Sequence, residues 1–273
     1  MKKVLALYCR TYSGDMERFR VLLDSVGRYN EDRLPLYVEV TLSDFEVFYA
    51  LVRDFVGEGF KGEVRVIASQ DSKYEGLGGS LVQQVDKLSF GLKGYCDVYV
   101  VLDSDSYFIR EFREGDFVHG SGVPYVVMHE ERGFFEWLQV GGVKYPVKDS
   151  FESHCRRVSD YLEMGGGRVF YSFGPSPVII SSDVVFKMFQ WLVSRGSSFE
   201  SLILMVPSEY TWYGNFLLKE KIHEIYPREP LFKCFHYSEQ YADAKERGYT
   251  EEQYKEIYMG IVLQSNWGAP LRY

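Results

Sequence analysis

The chain has 273 residues, enough for one large α/β domain or two small ones, and its 46% hydrophobic and 26% charged content is that of a soluble globular protein. A formal charge of -8 excludes general nucleic-acid binding, which needs a basic face. Any phosphate ligand must therefore be held locally, by a metal, a few cations and backbone N–H groups. The 17% aromatic content suits either a groove that stacks rings or sugars or a Phe/Tyr-rich core.

The opening Met1-Lys2-Lys3 imitates a signal peptide, but the apolar run breaks at Arg10 before any small-residue cleavage site, so Val4 to Tyr8 reads as a first β-strand. No segment approaches the ~20 apolar residues of a membrane span, which leaves only peripheral membrane contact. Cys9, Cys96, Cys155 and Cys234 are widely scattered with no Cys-x-x-Cys pair, and they read as reduced thiols in a cytoplasmic protein.

Phe19, Leu22, Leu23 and Val26 recur at the spacing of one buried helix face, with Ser13 or Asp15 as the cap. Arg10 and Thr11 are then expected in the first strand-to-helix loop, either contacting a nucleotide or, for Arg10, as a solvated cation. Leu36 to Thr41 is a second strand, Asp44 opens a helix through Phe48, Leu51, Val52 and Phe55, and Val64 to Ala68 is a third strand. Strand, helix, strand, helix, strand begins a parallel, Rossmann-like sheet. Tyr74 to Gly79 is a glycine-rich loop open to a phosphate role but lacking the full dinucleotide fingerprint. The helix after it carries Leu81, Val82, Val85, Leu88 and Leu92, with Lys87 either at the surface or under the strand ends.

Val98 to Leu102 reads as a strand buried on both faces, and it delivers two carboxylates, Asp103 and Asp105, where it ends. In open α/β sheets ligands bind beyond the carboxyl ends of the strands, and two repelling carboxylates there are relieved by a divalent cation that in turn holds a diphosphate. The plainer alternative is a turn or helix cap built from Asp and Ser. Phe108 to Phe117 reads as a short helix or turn, and Pro124 to Met128 as a strand. Residues 129 to 173, with a helix expected from Ser150 to Met164, form a long mixed insertion suited to an acceptor surface or lid. Val178 to Ser181 is a strand, and Asp183 caps the next helix. Ser208 opens a helix whose first turn carries Glu209, where the helix dipole favours an ionised carboxylate. Leu231 to Tyr237 is a strand containing His236, Ser238 to Tyr258 is a polar helical stretch, and the tail carries Gln264-Ser265-Asn266.

The run Gln83-Gln84-x-x-Lys87-Leu88, then Leu102-Asp103-Ser104-Asp105, then Ser208-Glu209-Tyr210-x-x-Tyr213-Gly214-Asn215, and finally Gln264-Ser265-Asn266 span nearly the whole chain in order. Together they resemble a family of small bacterial and viral glycosyltransferases of the A-type (GT-A) fold, an α/β class with a mostly parallel central sheet flanked by helices. The resemblance implies one domain over 1–273, with a nucleotide-sugar half at 1–128 and an acceptor-binding and catalytic half at 129–273. It implies Mn2+ or Mg2+ held by Asp105, Asp103 and His236, and donor contacts from Arg10, Thr11, Lys87, Asp103 and Ser104. Glu209 is then the base of an inverting transfer, with weaker acceptor contacts from Tyr210, Tyr213, Asn215 and Asn266. The donor would be a UDP-, GDP- or dTDP-sugar, and the acceptor a glycan, lipid-linked or protein-linked hydroxyl, with the enzyme in the cytoplasm or at the inner face of a membrane. One departure is that Pro207-Ser208 stands where many inverting relatives carry further acids, which leaves Glu209 open to an orienting role.

Three rivals are weighed against this reading. A haloacid-dehalogenase-type phosphatase places its Asp-x-Asp on the first strand, not after three earlier ones. A nucleotidyltransferase would show a Gly- and Lys-rich loop after the first strand, which Thr11 to Asp15 lacks. A nucleotide-sugar-binding protein without turnover would not need Asp103, Asp105 and Glu209 together.

Overall fold

The computed structural model describes residues 4–57, 59–69, 76–140, 147–165 and 169–273. Four parallel strands, β1 (Leu5–Arg10), β2 (Leu36–Val40), β3 (Val64–Ala68) and β4 (Val98–Asp103), are linked by helices α1 (Met16–Tyr29), α2 (Phe45–Phe55) and α3 (Gly79–Ser89). After β4 come β5 (Ser106–Phe108), β6 (Tyr125–Val127), α4 (Arg132–Val140), α5 (Val147–Tyr161) and β7 (Val178–Ser181). β7 joins β4 antiparallel, giving the order β3-β2-β1-β4-β7.

Strand alternation sorts the side chains of this sheet into two cores. Leu5, Leu7 and Cys9 of β1 and Val98, Val100 and Leu102 of β4 face α1 and α2, meeting Phe19, Leu22, Val26, Phe48 and Val52. Ala6, Tyr8, Tyr99 and Val101 face the opposite side. There they meet α3 and two later helices, α6 (Ser182–Ser194) and α8 (Glu209–Glu220), with α7 (Phe199–Met205) between them. Burial on both faces is why β1 and β4 read as continuous apolar runs.

The chain then adds β8 (Tyr226–Arg228), β9 (Phe232–Phe235), α9 (Ser238–Glu246), α10 (Glu251–Lys255) and β10 (Gly260–Leu263). β10 pairs antiparallel with β5 and parallel with β9 in a second sheet, while β6 and β8 pair with each other. The acid-bearing turn therefore lies between two sheets: Asp103 ends β4 and Ser106 begins β5.

Several expected elements differ. The short helix or turn expected over Phe108 to Phe117 is present as a single 3-10 turn at Glu114–Asp116, and β5 just before it was not expected. Its partner β10 lies some 150 residues away, a non-local contact that periodicity does not reveal. α5 is shifted to Val147–Tyr161, α4 was not expected, and the polar stretch after His236 divides into α9 and α10. Asp183 lies in the first turn of α6, whose cap position is Ser181. The Tyr74–Gly79 loop and the 129–173 insertion fall partly outside the described residues.

Among the described residues no helix is long and apolar enough to cross a membrane. Cys9, Cys96, Cys155 and Cys234 are all free thiols.

α8 is clamped by a close approach: a Cβ on Gly214 would stand 2.1 Å from ring carbons of the buried Phe173. Gly214→Ala must displace that ring from the core, and overpacking of this kind typically costs about 1–3 kcal/mol. Urea denaturation should show the loss, and an unchanged midpoint would mean that α8 is not seated against Phe173.

Candidate active site

The C-terminal ends of β1 and β4 lie side by side, with Arg10 in register with Asp103. α3 crosses beside them and answers each strand end with a charge of opposite sign. Asp86 accepts from Arg10 Nε at 2.7 Å and from Ser69 Oγ at 2.8 Å. The next residue, Lys87, places its Nζ 2.7 Å from Asp103 Oδ1 and 3.0 Å from Glu209 Oε1.

Lys87 and Glu209 are only 8% and 5% exposed and form a buried pair, while the Asp103 side chain is 33% exposed at its edge, and together the three join α3, β4 and the first turn of α8. Burial alone would lower the proton affinity of the Lys87 ammonium, yet Asp103, Glu209 and Tyr210 raise it well above its ordinary value. The lysine is a fixed cation.

Asp103 is also held through its backbone. The pairing of β4 with β7 ends at Val101 and Val178, and the segment before β7 contains Pro175 and Pro177, which have no N–H to extend the ladder. Ser176 substitutes for the missing partner: its hydroxyl accepts from Asp103 N–H at 3.0 Å and donates to Val101 C=O at 3.1 Å. Ser106 Oγ closes the turn by donating to Asp103 C=O at 2.7 Å.

Asp105 is tied to the tail, accepting Ser265 N–H on Oδ2 at 2.8 Å, while its carbonyl accepts from Leu263 N–H at 2.9 Å. Its carboxyl is pushed up to about 6, first by desolvation and then by the Asp103 carboxylate, with Asp15 adding to the same effect. Asp15 reaches the turn by accepting from Ser104 Oγ at 3.2 Å, and burial raises it as well.

The sequence-predicted residues divide accordingly. Asp103, Lys87 and Glu209 come together directly, and Ser104 and Asp105 belong to the same turn. Arg10 and Thr11 are not in an open loop: Arg10 is the last residue of β1, 4% exposed and bonded to Asp86, and Thr11 is fully buried. Tyr213 is likewise a core residue, 1% exposed, whose hydroxyl accepts from Ser181 N–H at 2.8 Å, so it does not present a surface to an acceptor. Asn215 turns its amide to Thr211 C=O in its own helix. Tyr210 is half-buried with its ring centroid 5.3 Å from Lys87 Nζ, and Asn266 is exposed at the rim of a small hollow that His236 also lines.

Asp15, Asp86 and Ser176 were missed as site residues. Asp86 lies inside the Gln83 to Lys87 run and could have been suspected from that. Asp15 read only as a helix cap, and nothing in the sequence ties Ser176 to the acid turn.

Among the described residues no three His, Cys, Asp or Glu side chains converge closely enough to hold a metal ion by themselves. The donor chemistry nevertheless fits one, because a hard cation shared with a diphosphate needs only one or two protein carboxylates. Asp105 is strained by its acidic neighbours, and burial holds His236 neutral, with its pKa down at about 4, in the form that binds metals.

A mixed, mostly parallel sheet with acids at the end of β4, coupled to a second small sheet through that acidic turn, is the GT-A fold of glycosyltransferases. The chain is similar to a galactosyltransferase, LgtC, solved in complex with donor and acceptor sugar analogs, at 15% identity and TM-score 0.56 over 97% of this chain and 91% of that one. An active-site mutant of LgtC matches at 15% identity and TM-score 0.54, over 97% and 88% of the two chains. The apo form of mouse xyloside xylosyltransferase 1 aligns at 12% identity and TM-score 0.47, over 97% and 99%. The chain belongs to the family of unknown function DUF6492, whose model matches residues 1–255. No curated protein matches it in sequence.

Removing the shared cation should expose its structural role. Lys87→Met leaves two carboxylates without their partner, and breaking a buried pair this way costs about 3–5 kcal/mol. Adding Glu209→Gln should recover part of that loss in the double variant. Chemical denaturation of the parent, single and double variants measures both effects, and a Lys87→Met protein as stable as the parent would refute the arrangement.

Proposed function

We propose that the protein is a metal-dependent glycosyltransferase that moves a sugar from a UDP-, GDP- or dTDP-sugar to a hydroxyl of a glycan, lipid-linked or protein-linked acceptor. The observation that carries this reading is the meeting of Asp103, Lys87 and Glu209 at the strand ends, beside Asp105, in a fold shared with glycosyltransferases. In this reading 1–128 holds the nucleotide-sugar and 129–273 supplies the acceptor side and the base, within one domain. The reaction takes place in the cytoplasm or at the inner face of a membrane.

Asp103 and Asp105, with His236, would hold Mn2+ or Mg2+, which when bound offsets the charge that develops on the departing nucleoside diphosphate. Lys87 fixes the rotamer of Asp103 and supplies positive charge beside the donor. Glu209 takes the proton of the acceptor hydroxyl as its oxygen bonds to the anomeric carbon and the bond from that carbon to the diphosphate breaks, with inversion.

The Lys87 contact also supports a second role for Glu209, that of anchoring Lys87 in an enzyme that retains configuration. Glu209→Gln separates the two roles. As the base it should lower turnover by roughly 100-fold or more with donor affinity nearly intact. As an anchor alone it should weaken donor binding through Lys87 and leave turnover at saturation nearly normal.

The central test is thermal unfolding against UDP-, GDP- and dTDP-sugars with and without Mn2+. A ligand at ~100 times its dissociation constant adds about 2.7 kcal/mol to the folded state. A metal-dependent shift with one nucleotide family is expected, and Asp105→Asn should abolish its metal dependence. No shift with any donor, or a shift indifferent to Mn2+ in both proteins, would overturn the proposal.

A further inference from the structure

Beyond the strand ends lies a cleft of about 1120 Å3, walled on one side by the Met128–Trp137 stretch and on the other by α9 and α10, with β9 running along it. His236 lines both this cleft and an adjoining hollow of about 210 Å3, which also includes Phe134, Gln264 and Asn266. Lys87, Asp103, Asp105 and Glu209 do not line the cleft; Pro175 is its lining residue next in sequence to the acid turn's partner Ser176. The cleft is the right size for a ligand of several sugar rings.

Lys233 on β9 also lines this cleft. Strand alternation puts it on the same side as Phe235, and its Nζ stands 5.4 Å from that ring's centroid. No carboxylate of the described residues lies within ion-pair distance of Lys233. The arginines of the cleft are committed, Arg132 to Glu130 at 2.8 Å and Arg247 to Asp243 at 2.9 Å.

Burial lowers the proton affinity of the Lys233 ammonium, and Asp243, a cleft carboxylate beyond ion-pair distance, offsets this only in part. A methionine would fill the same space without that desolvation cost. An unpaired, half-buried lysine in a large cleft is accounted for by an anion that arrives from outside.

We propose that the cleft receives the acceptor and that this acceptor is an anionic saccharide, its carboxylate or phosphate group bound by Lys233 and its ring faces packed on Phe134 and Trp137. The word acceptor rests on the glycosyltransferase reading; the anion site itself does not. Sugar rings present apolar C–H faces that pack on aromatic side chains, and here Phe134 and Trp137 lie nearly parallel, 10° apart with centroids separated by 6.3 Å.

The test is equilibrium binding of glucose, glucuronate and glucose 6-phosphate to the full chain, its Lys233→Met variant and its Lys233→Arg variant. At least one anionic sugar should bind tenfold or more tightly than glucose. That preference should vanish in Lys233→Met and persist in Lys233→Arg, while the melting temperature of Lys233→Met stays equal to the parent's or rises. A stability gain accompanied by a loss of anion binding is an outcome that a merely structural lysine would not give.

Preference for glucuronate identifies a carboxylate acceptor, and preference for glucose 6-phosphate a phosphorylated one. Equal binding of all three sugars, no binding of either anion, or a preference that survives in Lys233→Met overturns the proposal. Nucleotide-sugar binding measured on the same samples separates the two readings. If no nucleotide-sugar binds while the Lys233-dependent preference persists, glycosyl transfer fails and the anion site stands; the reverse pattern removes the anion site alone.

Discussion

The placement of one ammonium group organises this molecule. Lys87 is nearly sealed from water, and a lysine is stable there only if carboxylates meet it with good geometry. Asp103 and Glu209 do so, and each comes from a different element, so the ion pair fixes the relative positions of α3, β4 and the start of α8. The neighbouring pair, Arg10 with Asp86, repeats the logic one strand over with the charges exchanged. Adjacent residues of α3 thus answer adjacent strand ends, and a shift of the helix along the sheet would break both pairs at once.

The acid turn is correspondingly a joint between sheets, and its rigidity comes from parts of the chain distant in sequence. Ser176 completes the backbone bonding of Asp103 where the prolines stop the ladder, and Ser265 binds the carboxylate of Asp105 from the C-terminal tail. Arg18 of α1 donates to Ala269 C=O at 2.6 Å, tying that tail back to the first helix. The geometry of the acid turn therefore depends on the C-terminal tail as well as on the central strand. This gives the Gln264-Ser265-Asn266 run a structural reason in addition to its place beside the small hollow.

How much of this could be read from the sequence follows from which contacts are local. The strands β1 to β4 and the helices between them were visible because apolar runs and one-face periodicity are local signals. The acid-x-acid at the end of β4 was visible because it is a chemical oddity at a position where ligands bind. β5 was missed because three residues, Ser106 to Phe108, are too few to show a period and their partner is far away in the chain. Arg10 was expected in a loop because a charged residue normally marks the end of a buried strand. Here Asp86 compensates it, and burial of a paired arginine leaves no trace in a hydropathy pattern. Tyr213 was misplaced for the converse reason: a polar atom on a large ring is compatible with a binding surface, but one backbone N–H was enough to satisfy it in the core.

The same accounting explains why the proposed donor would need a metal. Among the described residues, Asp15, Asp86, Asp103, Asp105 and Glu209 gather around the strand ends, with Arg10, Lys87 and Arg18 beside them. Burial first, and the Asp103 carboxylate in addition, favours protonation of Asp105 and Asp15. Lys87 answers two carboxylates, so only part of its charge would be offered to a diphosphate beside it. A divalent cation, were Asp103 and Asp105 to hold one, would supply the further positive charge that a diphosphate needs while leaving both ion pairs in place. In the proposed reading, a chain with a net charge of -8 would hold a diphosphate through local charges and not through a basic surface.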